Sequence, residues 1–326
     1  MKIDHADRSL WRYRAMLGLE PEANPVTLGE GNTDLVILNE QFPGVYAKLE
    51  YQNPTASYKD RGTAVLASFL YSRQVEYAVE DSSGNAGASF AAYAARAGLR
   101  ARVYVPEAAS GPKRSQIEAY GAELVAVAGA RSNAAEAVQK EAYRGAAYAS
   151  HAFMPFGLTG IATIAYEIVD QLGEAPGTVI SPVGHGGLLY GMMRGFQSMS
   201  AAGIIMKEPY YLGVQSGACN PVARAYRAHF GVIQEEPSGE TVAEGVKVSN
   251  PARGRAILSH IQSTGGKIMD IEDKRLLQAY HDLARMGFYC EPTSALTYAA
   301  LQQEMEVLPK PVVLVLTGAG VKTKIL

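Results

Sequence analysis

Cysteine is scarce in this sequence, where Cys219 and Cys290 are the only two among 326 residues. So sparse a pair in so long a chain argues against a disulfide framework and favours a reducing compartment, so we expect a cytoplasmic protein. No apolar run approaches the ~18 residues that a membrane-spanning helix needs, and the first residues lack the apolar core of a secretory signal. The sequence therefore predicts no membrane association.

An excess of charge of one sign is also missing. The chain carries 30 Lys and Arg against 32 Asp and Glu, a formal net charge of -2, and the two signs are interspersed. This balance gives no indication of a nucleic-acid or anionic-membrane partner. The six histidines are scattered, and none stands at ligand spacing from another His or Cys, so we expect no metal site.

What the chain does have is 48% apolar residues, which is enough for one large core or two moderate cores. Predicted strands alternate with predicted helices of about ten to fifteen residues, which indicates an α/β fold with a parallel sheet covered on both faces. Asn85–Ala97 is a predicted helix that Gly98 ends, and the β-branched run Val312–Leu316 is a predicted buried strand. Pro251–Gln262 is predicted to be a helix. Four βα units occupy residues 51–150, and the rest forms a second, larger set.

The stretch Ser57-Tyr58-Lys59-Asp60-Arg61-Gly62 lies between a turn and a predicted helix. Lys59 is therefore at or just before a helix start, where the positive end of the helix dipole disfavours a second cation. A buried amine at that point is a usable nucleophile toward an aldehyde. Taken alone, the hexamer favours the simpler interpretation of a surface lysine with solvated neighbours.

Two later stretches combine polar or glycine-rich turns with a following helix. In Gly184-His185-Gly186-Gly187-Leu188, backbone N–H groups can converge on a phosphate, although a tight turn would have the same sequence. The loop has neither the third glycine of the dinucleotide fingerprint nor the Lys-Ser/Thr of a Walker A loop. In Ser82-Ser83-Gly84-Asn85, Ser83 or Asn85 is a candidate helix N-cap.

In this order, the lysine, Ser-Ser-Gly-Asn and Gly-x-Gly-Gly stretches resemble the fold type II, tryptophan synthase β-like pyridoxal-phosphate enzymes, and among them the threonine synthases. The resemblance implies a pyridoxal 5'-phosphate cofactor in the cleft of a two-domain α/β fold, and a homodimer. It also implies that residues 1–50 and 151–326 form the large domain that binds the cofactor phosphate. Residues 51–150 would then form the small domain that carries the Asn85 loop.

The resemblance also implies a role for each site residue. Lys59 bonds the cofactor aldehyde and later removes the α-proton of a small amino-acid substrate, and Asn85 hydrogen-bonds the phenolic oxygen. Thr317 faces the ring nitrogen and leaves it largely unprotonated. The cofactor phosphate lies against Gly184, His185, Gly186, Gly187 and Leu188. The substrate carboxylate is held by Ser83, Gly84, Asn85 and Ala86, although the family often has a threonine where this chain has Ala86.

Three further positions bear on the substrate. Gly157 stands where threonine synthases have the arginine that binds the substrate phosphate, so phosphohomoserine is a substrate only if another cation replaces it. The candidate replacements are Arg114, Lys247 and Arg253. Glu244 is a candidate contact for the ring or the substrate amine. Glu291 precedes Pro292 at a predicted helix start, and we interpret it as structural.

Three functions follow from these observations. The first is a threonine synthase-like lyase that converts phosphohomoserine to threonine. The alternative is a threonine/serine dehydratase-like or other β-eliminating or β-replacing enzyme, which the missing arginine favours. The third is a non-catalytic protein that binds the cofactor or another phosphate ligand. The combination of Lys59, Asn85 and Thr317 argues against it.

Overall fold

The computed structural model describes residues 3–20, 22–108, 111–129, 131–229, 231–235 and 239–323. Their strands are β1 (Leu35–Ile37), β2 (Val45–Leu49), β3 (Tyr77–Glu80), β4 (Arg100–Pro106), β5 (Glu123–Val127), β6 (Ala147–Tyr148), β7 (Thr178–Pro182), β8 (Tyr210–Ser216), β9 (Gly266–Ile271) and β10 (Val312–Leu316). Their helices are α1 (Lys59–Ser72), α2 (Asn85–Ala97), α3 (Pro112–Ala119), α4 (Arg131–Tyr143), α5 (Phe156–Leu172), α6 (Gly187–Ala201), α7 (Pro221–Arg227), α8 (Gly254–Thr264), α9 (Asp273–Arg285) and α10 (Pro292–Glu304). Among these described helices, none is both long and apolar enough to cross a membrane.

The larger of two sheets has six strands in the order β1-β2-β10-β7-β8-β9, all parallel except β1. Its central strand β10 is buried along its whole length. Val313 and Val315 pack into an apolar cluster with α5 and α6, whereas Val312, Leu314 and Leu316 pack into a second cluster with α9 and α10. Because successive side chains of a strand point to opposite faces, helices cover this sheet on both sides.

The smaller sheet has four parallel strands in the order β5-β4-β3-β6. Val103 and Val105 of β4 pack with α2 and α3, and Tyr104 between them packs with α4. The two sheets, parallel except for β1 and covered by helices on both faces, confirm the predicted α/β class. Helix α1 packs against both α2 and α5, so it joins the two halves of the fold. The division of the chain near residues 50 and 150 stays a prediction.

Helix α2, which ends at Gly98 with φ 68°, and strand β10 have the predicted bounds. The predicted helix at Pro251–Gln262 is shifted, because Pro251 belongs to a turn in which the Gly254 amide donates to the Pro251 carbonyl at 3.1 Å. Helix α8 therefore begins only at Gly254. Helix α7, strand β9 and a 3₁₀ helix at Leu10–Met16 were not predicted.

Candidate active site

Residues that follow β3, β7 and β10 line one cavity, which therefore draws on the carboxyl ends of strands in both sheets. Parallel α/β sheets bind ligands at this end of their strands. The residues that the sequence assigns to the site all lie on the wall of this cavity: Lys59, Ser83, Gly84, Asn85, Ala86, Gly184, His185, Gly186, Gly187, Leu188 and Thr317.

Lys59 is the first residue of α1 and is half-buried on the cavity wall. The turn before it is attached to the end of β10, because the Tyr58 amide donates to the Thr317 carbonyl at 3.0 Å. The Lys59 amide donates to the Ser57 hydroxyl at 3.4 Å, and Nζ lies 4.9 Å from the centre of the Tyr58 ring. These contacts attach the turn that leads into Lys59 to the strand end that carries Thr317.

The glycine-rich loop between β7 and α6 brings the backbone of three glycines, Gly184, Gly186 and Gly187, to the cavity. A Cβ on Gly184 would lie 2.7 Å from the Gly245 carbonyl oxygen, and Gly186 has φ 88°, a conformation that favours glycine. Gly186 is also the N-cap of α6, and no described side chain caps this helix. The first N–H groups of α6 are therefore available to an anion.

Asn85 begins α2 on the other side of the cavity. Its Nδ2 donates to Glu291 Oε2 at 2.9 Å, whereas its Oδ1 is buried and has no hydrogen-bond partner among the described residues. Buried polar atoms are normally paired, so an unpaired one on a cavity wall indicates a place for a ligand.

Glu291 also lines the cavity, although the sequence indicated only a structural helix start for it. Its side chain is 6% exposed, and its carboxylate also accepts a hydrogen bond from the Thr317 hydroxyl at 2.8 Å. Lys113 Nζ lies 3.7 Å from Glu291 Oε2, and both residues line the cavity. Asn85 and Glu291 are 206 positions apart, so no local pattern could have revealed the pair.

Gly157 lies on the cavity wall at the start of α5, where that helix approaches α1 closely. A Cβ on Gly157 would lie 3.2 Å from the Gly62 carbonyl oxygen, so a side chain there is crowded by backbone. Within the described part of the chain, the residues lining the cavity do not include Arg114, Lys247 or Arg253. Besides Lys59, the described cavity wall includes the cationic side chain of Lys113.

Two buried titratable groups lie behind Lys59. Burial raises the pKa of Asp60 to about 6, against the effect of hydrogen bonds from Ser89 and Thr55. Burial likewise lowers the pKa of Lys322 to about 8, while nearby Glu291 and Asp60 act in the opposite direction. Lys322 Nζ donates to the Thr55 carbonyl at 2.6 Å, so both groups fix the turn that leads into α1.

His151 and Glu80 form a further pair on the wall that the sequence did not predict. His151 Nδ1 lies 2.5 Å from Glu80 Oε1, and the His151 ring lies 5.6 Å from the ring of His185. Because Glu80 fixes one ring nitrogen, this contact orients the imidazole beside the glycine-rich loop.

Residues 26–318 match the profile of the family described as "Pyridoxal-phosphate dependent enzyme". The chain belongs to this family. This pyridoxal-phosphate enzyme is 34% identical to the threonine synthase of Methanocaldococcus jannaschii, over 98% of its own length and 82% of that protein. It is 32% identical to the threonine synthase of Methanosarcina acetivorans, over 92% and 75% of the two chains.

Solved structures share the fold of this pyridoxal-phosphate enzyme. The threonine deaminase of T.th. has a TM-score of 0.72 and 28% identity, over 84% of this chain and 87% of that one. Maize serine racemase has a TM-score of 0.78, over 98% and 94% of the two chains, and its 18% identity shows the fold alone. The fold is that of the fold type II pyridoxal-phosphate enzymes.

The cofactor of this family fits the groups on the cavity wall. The uncapped helix start at Gly186 suits its phosphate, the amine of Lys59 suits its aldehyde, and the unpaired oxygen of Asn85 suits a polar ring substituent. When bound, pyridoxal phosphate supplies an electron-accepting ring that assists bond breaking at the α-carbon of an amino acid.

Proposed function

We propose that this enzyme is a threonine synthase-like lyase that converts phosphohomoserine and water into threonine and inorganic phosphate. The observation that carries the proposal is the convergence of an amine, an uncapped helix start, an amide and a hydroxyl on one cavity. Relatives named threonine synthase, at 34% and 32% identity over more than nine-tenths of the chain, support this choice of reaction.

In this proposal each part of the cofactor is bound by a different group on the cavity wall. Lys59 bonds its aldehyde, Asn85 hydrogen-bonds its phenolic oxygen and Thr317 faces its ring nitrogen. The phosphate takes the backbone N–H groups of residues 184–188, where the start of α6 adds a favourable dipole. The glycines of this loop support the assignment, because a side chain at Gly184 would meet the backbone of Gly245.

The substrate carboxylate, we propose, lies at the start of α2 against Ser83, Gly84, Asn85 and Ala86. Gly84 is the N-cap of this helix, and no described side chain caps it. First-turn N–H groups are therefore the natural donors to an anion. Ala86 offers no hydroxyl, so the backbone supplies the donor that the family often takes from threonine. We propose that Lys59 removes the proton from the substrate α-carbon.

Lys113 is our proposed partner for the substrate phosphate. Its side chain is 15% exposed on the cavity wall, and a phosphate dianion needs charge or donors once water is removed. In the Lys113→Met variant we expect KM for phosphohomoserine to rise about 10-fold or more, since charge-assisted hydrogen bonds contribute ~1.5–3 kcal/mol. Arg114→Met is the control, because Arg114 pairs with Glu118 at 3.5 Å. In this variant KM should stay unchanged.

A threonine/serine dehydratase-like reaction is the second candidate. Gly157 in place of the arginine favours it, and so does the 28% identity to a structure named threonine deaminase. In such a reaction the same residues would serve, but the amino acid would first lose water to give an enamine. Hydrolysis of the enamine would take up one water and yield a keto acid and ammonia.

Product analysis of the purified holoenzyme separates these candidates. Our proposal predicts equal amounts of phosphate and threonine from phosphohomoserine, and little keto acid from serine or threonine. Keto acid without phosphate release would favour the dehydratase. Bound cofactor with no turnover of any of these amino acids would instead favour a binding protein.

We also propose that the enzyme is a cytoplasmic homodimer, divided into a large domain of residues 1–50 and 151–326 and a small domain of residues 51–150. The two buried free thiols, Cys219 and Cys290, suit a reducing compartment. Light scattering should give twice the mass of one chain, and the mass of a single chain would contradict the dimer.

A further inference from the structure

Two strand ends of the smaller sheet bring a carboxylate and an imidazole together on the cavity wall. Glu80 is the last residue of β3, and His151 follows β6, the strand that pairs with β3. The Ala149 amide donates to the Val79 carbonyl at 2.8 Å, so the ends of the two strands stay side by side. His151 therefore lies next to the segment that leads from β3 to the start of α2.

Glu80 and His151 have the arrangement of a carboxylate that orients an imidazole. The side chain of Glu80 is 1% exposed and that of His151 is 16% exposed. A buried carboxylate needs a partner, and Nδ1 of His151 lies 2.5 Å from Glu80 Oε1. In such a pair the carboxylate fixes the tautomer of the imidazole and stabilises its protonated form. Nδ1 carries the proton that faces Glu80, so a proton exchanged with a substrate is carried by Nε2.

The turn that carries His151 is held against the glycine-rich loop. The guanidinium of Arg253 donates to the Ala152 carbonyl, and its Nη2 donates to the Met154 carbonyl at 3.2 Å. The backbone amide of Arg253 donates to the His185 carbonyl at 3.0 Å, and the rings of His151 and His185 lie 5.6 Å apart. His151 is thereby fixed between the start of α2 and the loop, where our proposed function puts the substrate carboxylate and the cofactor phosphate.

Loss of phosphate from a substrate calls for an acid. A phosphate ester carries nearly two negative charges at neutral pH, so cleavage of its carbon–oxygen bond would expel a phosphate trianion. A general acid that protonates the bridging oxygen avoids this charge and typically contributes ~100- to 10,000-fold to the rate. Lys59 and Lys113 have other roles in our proposal, and His185 belongs to the loop assigned to the cofactor phosphate. His151 has a buried carboxylate, Glu80, that stabilises its protonated form.

We infer that His151, oriented by Glu80, protonates the phosphate that leaves the substrate and then takes a proton from the water that adds. The inference rests on the proposed function, in which phosphohomoserine yields threonine. As the Cγ–O bond breaks, its electron pair stays with the bridging oxygen, which takes the proton from His151 Nε2. The electron pair of a Cβ–H bond forms the Cβ=Cγ bond, and Lys59 moves that proton to Cγ. Water then gives its hydroxyl to Cβ and its remaining proton to His151. His151 is a catalytic residue in this reaction and Glu80 is a positioning residue.

Single-turnover release of the leaving group measures the bond-breaking step alone. The holoenzyme is compared on phosphohomoserine and on the sulfate ester of homoserine, because sulfate is so weak a base that it leaves without a proton. In His151→Gln we expect phosphate release to slow about 100-fold or more and sulfate release to change by less than about 3-fold, since only the first needs a general acid. A merely structural defect would slow both.

His260→Gln is the matched control. His260 pairs with Glu208 at 2.7 Å, and neither residue is among the described residues that line the cavity. Both release rates should equal those of the wild type. Glu80→Gln keeps the imidazole but removes the carboxylate, so it should slow phosphate release about 10-fold or more and leave sulfate release unchanged.

Nitrogen-15 NMR of the histidine rings tests the pair without any turnover. In the wild-type holoenzyme without substrate, Nδ1 of His151 should give the signal of a protonated nitrogen. In Glu80→Met this signal should shift toward the average of the two tautomers. The NMR result and the Glu80→Gln rates decide the question if His151→Gln does not fold or does not bind the cofactor.

Three results would overturn the inference. A bare Nδ1 in the wild type would do so, as would release rates of the two esters that change equally, or not at all, in His151→Gln. Either result leaves the proposed function intact, provided that the wild type forms threonine and phosphate from phosphohomoserine. A wild type that releases no phosphate would overturn both.

Discussion

The amine of Lys322 is buried, where little water reaches it. Burial lowers the pKa of its folded-state amine to about 8 from an ordinary value of 10.5. Between these two values the unfolded chain binds more protons than the folded chain, so this group makes the free energy of unfolding rise with pH. Below about 8 both states are protonated, and the folded state bears the full cost of a buried charge.

Replacing Lys322 with methionine should remove this pH dependence. From a pH of about 8 to about 10.5, the stability of the wild type should rise relative to Lys322→Met by at most about 3 kcal/mol, as the size of the pKa shift allows. Urea unfolding at several pH values measures the difference.

Lys310→Met is the control for that experiment, because exposed Lys310 also donates to a backbone carbonyl, that of Pro43, at 2.7 Å. This variant should keep the slope of the wild type. A Lys322→Met protein with the same slope as Lys310→Met would show that the amine of Lys322 titrates normally.

At this scale the sequence could predict the positions of Lys59, Asn85 and Thr317 on the cavity wall, because their motifs together resemble a known family. Each motif alone is also typical of an ordinary turn, strand end or helix start. Glu291 and Lys113 could not be predicted in the same way. Their contacts depend on the folding of distant segments onto one wall, and a glutamate before a proline is the expected sequence of an ordinary helix start.

Helix α1 is held in place by a buried ion network, which begins at Arg61, two residues after Lys59. The fully buried Arg61 guanidinium lies 2.7 Å from both Glu50 and Glu167, and Lys48 lies 2.9 Å from Glu167. Although burial alone would raise it, Arg61 and Lys48 hold the pKa of Glu167 well below its usual range. The first turn of α1 is thereby fixed to β2 and α5.

We expect Arg61→Met to destabilise the protein by about 3–5 kcal/mol, since it leaves buried carboxylates without their main partner. Arg144→Met is the control: Arg144 is 77% exposed and pairs with Glu141 at 3.4 Å, so it should cost less than ~1 kcal/mol. Thermal or urea unfolding of the two variants measures both costs. Equal stabilities would contradict a structural role of the network.

The start of α6 provides a second prediction at the element scale. Alanine at Gly186 would need φ 88° and would place its Cβ 2.6 Å from Ile257 Cδ1. We expect Gly186→Ala to weaken pyridoxal phosphate binding about 10-fold or more, because relief of this strain shifts the N–H groups that bind the phosphate.

Gly203, just beyond the other end of α6, provides a matched control. It has φ 67° with open space around it, so Gly203→Ala has the same type of backbone strain, ~1–2 kcal/mol, without the steric contact. Titration of the cofactor by fluorescence should give the wild-type affinity for Gly203→Ala. Similar affinities for both variants would argue against phosphate binding at this loop.

The sequence predicts elements best where a local signal marks both ends. Gly98 ends α2, and β10 is an uninterrupted apolar run, and both have the predicted bounds. Strand β9 was missed because it becomes a strand only by pairing with β8, 50 or more residues earlier in the chain. Pro251 was taken as a helix start, but the turn it forms delays α8 to Gly254.

At the scale of the whole molecule, the site exists because two separate sheets end at the same cavity. The four-stranded sheet contributes the Asn85 loop after β3, and the six-stranded sheet contributes the loop after β7 and Thr317 after β10. The alternation of strands and helices predicted the parallel sheets. It could not predict which strand ends meet, since that depends on strand order and on the packing of α1 between the two halves.

Mass spectrometry after borohydride reduction of the holoenzyme identifies the lysine that bonds the cofactor. Reduction makes the bond between the cofactor aldehyde and a lysine permanent, and digestion then locates the lysine. We predict an adduct on Lys59 and none in Lys59→Ala. An adduct on another lysine, such as Lys113, or no adduct at all, would contradict it.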